Sequence, residues 1–189
     1  MDAIEKWAVM SEEVAWTAEQ AAAIRKVVLD AAPVTLAEFD AATSDEARFY
    51  ALPRATFAAY HLERFTLAKA HAQLALTLAE NFKDNWNFGN AVHSAHSILG
   101  LLALDAGDRS SALTALQAAG ATPGSPQLNS FGPTMQLAIA LLELGEREAV
   151  LNYLDQCAVF WRLGNSKLAI WRRKIAAGSM PNFFSHRFG

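Results

Sequence analysis

Two histidines, His93 and His96, stand three residues apart in the segment HSAH. On a helix that spacing puts both imidazoles on one face, within reach of a single ion. Zinc needs three or four protein ligands. No Asp, Glu or Cys is within reach on the same helix, so a further ligand would have to come from His61 or His71. The expectation is therefore no metal site and no cofactor, with the pair serving as hydrogen-bonded interior or groove histidines. The alternative is a small-molecule-binding protein or metal-dependent enzyme built on the His93/His96 face. Around the pair, Asn90, His93 and Ser97 share a helix face, with Trp86 one turn earlier. Polar groups beside one aromatic suit the capture of an extended peptide, so these four residues are the expected groove.

Catalytic constellations are otherwise absent. The chain has no HExxH, GxSxG, P-loop or GxGxxG. Cys157 is the only cysteine, which excludes an intrachain disulfide and suits a reducing compartment. It occupies a small packing position, where a free thiol behaves as an apolar core group. The acid pairs Glu12/Glu13 and Glu146/Glu148 fall at helix starts, where they favour the dipole. No enzymatic reaction is expected.

Of 189 residues, 52% are hydrophobic and 19% charged, a globular balance for one domain. The longest apolar run, Ile98–Leu104, is far below the roughly 20 residues of a membrane helix. The opening MDAIEKWAVM carries Asp2 and Glu5 where a secretory leader has bases, so a cytoplasmic chain without a leader is expected. The net charge of −3 hides an asymmetry. Residues 1–155 hold ten bases against nineteen acids, and the rest hold six bases and no acid. A basic final helix packed on the acidic body is the simplest reading. The tail after Gly178 adds Phe183, Phe184 and Phe188, which either cap the chain's own last hairpin or dock on a second copy. Arg172, Arg173, Phe183 and Phe184 are its expected binding residues. Bases with aromatics also suit nucleic acid, but the acidic body disfavours it.

Helical periodicity runs throughout, rich in Ala and Leu. A short helix is expected near 2–10 and a second from a Ser11 cap to about Ala31, stopped by Pro33. Thr35 and Glu38 read as a capping box for a short helix through Ala42. Ser44 caps the next, which Pro53 kinks or restarts. Helices follow at about 54–62, 65–82, 85–106, 109–119, 133–144, 147–161 and 166–177. Gly107 and Gly145 mark tight joints between antiparallel helices.

The hairpins repeat. In His96–Gly120 and Thr134–Trp161 the turn glycine is followed at five residues by Ala112 or Val150, then by Leu116 or Leu154, then by Ala119 or Cys157. His61–Glu80 places Ala68, Ala72 and Ala75 at the same spacings. With Leu99-Gly100 ahead of the first turn, this resembles the tetratricopeptide repeat over about residues 54–161. The equivalent small residues are 44 and then 38 apart, rather than 34, so the repeats are irregular. SPQLNSFGPTM, GERE and LDQCAVFW together resemble a pattern of small bacterial tetratricopeptide-like proteins, which implies the fold and no activity.

The resemblance implies an all-α, single-domain, right-handed stack of antiparallel hairpins: N-terminal helices over 1–53, hairpins over 54–161, and a capping helix with basic aromatic tail over 162–189. The stretch TPGSPQLNSFGPTM (122–135) would join two hairpins. Asn129 or Ser130 would cap the next helix near Pro133, with Phe131 as a hydrophobic staple. The connector is longer than such joints usually are, so Gln127, Asn129, Ser130 and Phe131 are expected at the rim of a binding groove. The function expected is a non-catalytic protein- or peptide-binding module, an accessory or adaptor factor. A structural homodimer is the remaining alternative.

Overall fold

A computed structural model describes residues 17–188, together with Lys6 and Met10. Among the described residues there are nine α-helices and no strand. They are α1 (Ala18–Asp40), α2 (Asp45–His61), α3 (Phe65–Ala79), α4 (Phe88–Asp105), α5 (Arg109–Gly120), α6 (Pro126–Phe131), α7 (Gln136–Glu143), α8 (Arg147–Phe160) and α9 (Asn165–Ala176). Single 3₁₀ turns follow at Arg162–Gly164 and Phe184–Arg187. None of the described helices is long and apolar enough to cross a membrane. Of the expected helix at 2–10 only Lys6 and Met10 are described, both helical; its successor's Ser11 cap and the Glu12/Glu13 pair lie outside the described residues.

Helix α1 corrects the proline reading. It runs unbroken through Pro33, as α2 does through Pro53. A proline inside a helix removes one backbone hydrogen bond and bends the axis, but need not end it when the flanks are strong helix formers. Thr35 is therefore no N-cap: it lies mid-helix, and its hydroxyl donates to the Ala31 carbonyl at 3.2 Å. The true cap is Thr17, whose side chain accepts from Gln20 N while the Gln20 side chain accepts from Thr17 N. Ser44 caps α2 as expected, accepting from Ala47 N.

Apart from the connector helix α6, which packs on the Arg162–Gly164 turn, each helix packs on the next, and α2 also meets α4, α4 meets α7 and α5 meets α8. The small residues of the repeats sit where helices approach. Ala68, Ala72, Ala112, Ala119, Val150 and Cys157 are all fully buried. Gly100 is held to size as well, since a Cβ there would strike the Leu137 side chain of α7. Arg109 of α5 pairs with Glu146 at the start of α8 and donates to the Leu144 carbonyl at 2.7 Å, bracing the turn between α7 and α8.

The connector departs from its expected form. It contains α6, capped by Ser125, whose hydroxyl accepts from Leu128 N at 2.9 Å. Helix α7 begins only at Gln136, without a side-chain cap, so neither Asn129 nor Ser130 caps it. The backbone N–H of Met135 instead donates to the His186 carbonyl at 2.7 Å, so the tail supplies the missing acceptor. Phe131 is no staple; it is 77% exposed.

The tail folds back on its own chain. Phe183 is fully buried, its ring centroid 4.9 Å from that of Trp171, and His186 lies against both Trp161 and Trp171. Helix α9 packs on α8, with Arg172 paired to Asp155 at 2.5 Å and donating to the Leu154 carbonyl. Basic end and acidic body thus meet as the charge pattern suggests.

Candidate functional site

Three helices each turn one stripe toward a common trough. Helix α2 contributes Tyr50, Pro53, Arg54, Phe57, Ala58 and His61, spaced as one helical face. Helix α1 adds Val27, Val28, Ala31, Ala32 and Thr35. The α4 side adds Trp86, Asn87, Asn90, His93 and Ser94. Gln127 to Thr134 closes one rim, apart from Asn129 and Ser130, and His186 and Phe188 of the tail close an end. The result is an open cleft of about 810 Å³.

Its walls are aromatic. Tyr50 and Trp86 stack at 5.3 Å with their planes 15° apart, and Trp86 remains 49% exposed. Phe131 faces the cleft from the opposite rim. The floor is polar, but its hydrogen bonds are spent inside the protein. Asn87 is buried and donates to the Phe49 carbonyl at 2.9 Å. Asn90 donates to Asn87 Oδ1 at 2.9 Å and to Gln127 Oε1 at 3.1 Å, and accepts from the Ser125 hydroxyl at 2.6 Å. This chain of amides ties α2, α4 and the connector together. Its closeness requires glycine at 89, where a Cβ would overlap the Gly124 carbonyl. Thr122 adds a bond from its hydroxyl to the Gly89 carbonyl.

His93 sits below this layer, 2.9 Å from the Tyr153 hydroxyl, which also lies 3.4 Å from the Thr134 carbonyl. Burial, with a smaller contribution from nearby His96, pushes the His93 pKa down to about 4. It is neutral at pH 7. Burial, and then the charge of Arg25, hold His61 below the usual imidazole range. Cys157 is buried beside Tyr153, and its thiol is pushed up to about 12 by burial. A thiol so placed is no nucleophile. Among the described residues no three His, Cys, Asp or Glu are grouped to hold a metal ion.

Of the expected groove residues, Trp86, Asn90 and His93 do meet in the cleft. Ser97 does not: it is 2% exposed and lies off the lining. His96 is half-buried and also off the lining. Of the rim residues, Gln127 and Phe131 line the cleft. Asn129 instead turns its side-chain oxygen to the Arg162 N–H at 3.4 Å, and Ser130 is exposed outside. The tail residues are structural or peripheral. Arg172 is committed to α8, Arg173 is exposed away from the cleft lining, and Phe183 is core. The Phe184 side chain lies outside the described set.

Sequence reasoning missed the α1–α2 wall, including Tyr50, Arg54 and Phe57. The signal was available in the α2 stripe, whose helical spacing runs across Pro53. No protein-family model, no curated protein and no solved structure matches the chain.

Proposed function

We propose that the chain is a non-catalytic adaptor that holds a short peptide segment of a protein partner in the α1–α2–α4 cleft. We further propose that its hairpins form a right-handed tetratricopeptide-like stack. The hairpin reading draws support from the buried small residues at matched positions in α3, α5 and α8 and from the contacts of α2 with α4, α4 with α7 and α5 with α8. The binding reading rests on one observation above all. The cleft is walled by partly exposed aromatics, while its polar floor is hydrogen-bonded internally. Such a site offers apolar contact area and little chemistry. The α2 stripe from Tyr50 to His61 rises about 16 Å at ~1.5 Å per residue. An extended peptide covers that in about five residues.

A small organic molecule in the same cleft is the second reading, because 810 Å³ lies within the size range of small-molecule pockets. Panning a random dodecapeptide display library on the intact protein separates the two. Enrichment lost with Trp86→Ala and Phe131→Ala supports peptide capture. No enrichment, together with fragments that perturb the same aromatic resonances by NMR, favours the small molecule.

A further inference from the structure

Resting on the peptide-capture reading, the geometry points to a specific ligand class: we propose that the cleft selects an acidic aromatic peptide, with a carboxylate side chain on Arg54 and an aromatic ring beside Phe57 and Tyr50. The first ground is charge. The protein carries nineteen acids in 189 residues, yet among the described residues no Asp or Glu lines the cleft. The lining holds one arginine, and burial keeps its histidines His61 and His93 below the usual imidazole range, so Arg54 carries the charge. A cleft whose described lining holds a guanidinium and no carboxylate is positive on balance, and its low-dielectric walls concentrate that field.

The second ground is the state of Arg54. Among the described residues its acidic partner is Glu38 of α1, at 3.6 Å, with both side chains more than half exposed. A pair that long and that wet is worth little. A ligand carboxylate would meet a guanidinium that Glu38 holds only weakly, and the planar fork favours a charge-assisted, bidentate bond. Arg25 reinforces the sign, since its charge already reaches His61 on the same wall.

The third ground is spacing. Arg54 lies between Tyr50 and Phe57, about one helical turn from each along the same face, or ~5 Å. In an extended peptide, side chains on one side recur every two residues, or ~6.6 Å. The ligand pattern is therefore an aromatic and an Asp or Glu two residues apart. The Gln127 side-chain nitrogen, unlike its oxygen, has no hydrogen-bond partner among the described residues and faces the ligand's backbone.

The test uses the dodecapeptide library and the full chain as wild type, Arg54→Gln and Arg54→Glu. Arg54 is exposed, so both variants keep the fold, and circular dichroism verifies it. The expected wild-type selection pairs an aromatic with an acid two residues away. A fluorescein-labelled copy of the top wild-type peptide should bind Arg54→Gln about fivefold more weakly. Arg54→Glu should select Lys or Arg at the acid's place. Enrichment that depends on Trp86 but shows no acid excess, or is unchanged in Arg54→Glu, overturns this inference and leaves peptide capture standing. No enrichment on any variant overturns both.

Discussion

Replacing Asn90 with alanine separates a scaffold role from a ligand-contact role for the most polar point of the cleft. Asn90 donates to buried Asn87, donates to exposed Gln127 and accepts from Ser125. The Gln127 bond is exposed and contributes little. The Ser125 bond, at 2.6 Å and half-buried, is worth about 1 kcal/mol. Removing the donor to Asn87 strands an acceptor on a residue only 3% exposed, which costs about 1–2 kcal/mol more. Together that is about 2–3 kcal/mol. At ~2–4 °C per kcal/mol for a chain of this size, Tm should fall by roughly 4–12 °C. Asn90→Asp sharpens the point. It is isosteric and keeps the acceptor for Ser125, yet sets a carboxylate oxygen against Asn87 Oδ1 and Gln127 Oε1. It should cost at least as much as alanine, whereas Gln127→Ala should cost under about 0.5 kcal/mol. Urea denaturation at constant m-value reads all three. If Asn90→Ala and Asn90→Asp both fall within 0.5 kcal/mol of wild type, the amide chain does not hold the connector, and Asn90 returns to the ligand-facing role.

Three further outcomes check other parts of the structure. Gly89→Ala should cost about 3 kcal/mol or more, because its Cβ overlaps the Gly124 carbonyl, while Gly107→Ala, in open space at φ +78°, should cost about 1 kcal/mol; equal costs by denaturation would mean the connector does not press on α4. Below pH 6.5 the unfolded chain protonates His93's imidazole while the folded protein resists until about 4, so stability is full above 6.5 and is lost as pH falls through that window. His93→Gln should remove about 3 kcal/mol of that slope between pH 6.5 and 4, and parallel wild-type and variant curves would refute the burial of His93. Cys157 should resist a thiol-reactive disulfide in the native protein at pH 8 and react on unfolding, and prompt native labelling would show that α8 is not packed as described.

What was legible in the sequence follows from how local each signal is. The turns at Gly107 and Gly145 were readable because a left-handed residue between two helices calls for glycine, and both adopt φ near +80°. The small residues of α5 and α8 were readable because close helix approach leaves a periodic trace. Pro33 misled as a stop, and Pro53 does not restart α2, because a proline's local penalty is a few kcal/mol and, in α2, packing of Phe49, Leu52, Ala55 and Ala59 outweighs it. Asn90 and His93 were placed on the right face for an incomplete reason. Periodicity gives the direction of a side chain but not what lies opposite, and Asn90 meets a connector about 35 residues away. The α1–α2 wall was missed because it fits no repeat, and its partners are fixed only by tertiary packing.

That distinction bears on where recognition energy comes from. Polar residues in a groove invite a reading as ligand contacts, yet here Asn87, Asn90 and Ser125 are spent on one another, and His93 on Tyr153. Donating those groups to a ligand would require breaking bonds already made, at no net gain. What remains unspent is the exposed Trp86 face, the Phe131 ring, the Gln127 side-chain nitrogen and the weakly held Arg54. Affinity must then scale with aromatic area, and selectivity with one charge. Trimming Trp86 should weaken every ligand alike, whereas reversing Arg54 should change which ligands are chosen.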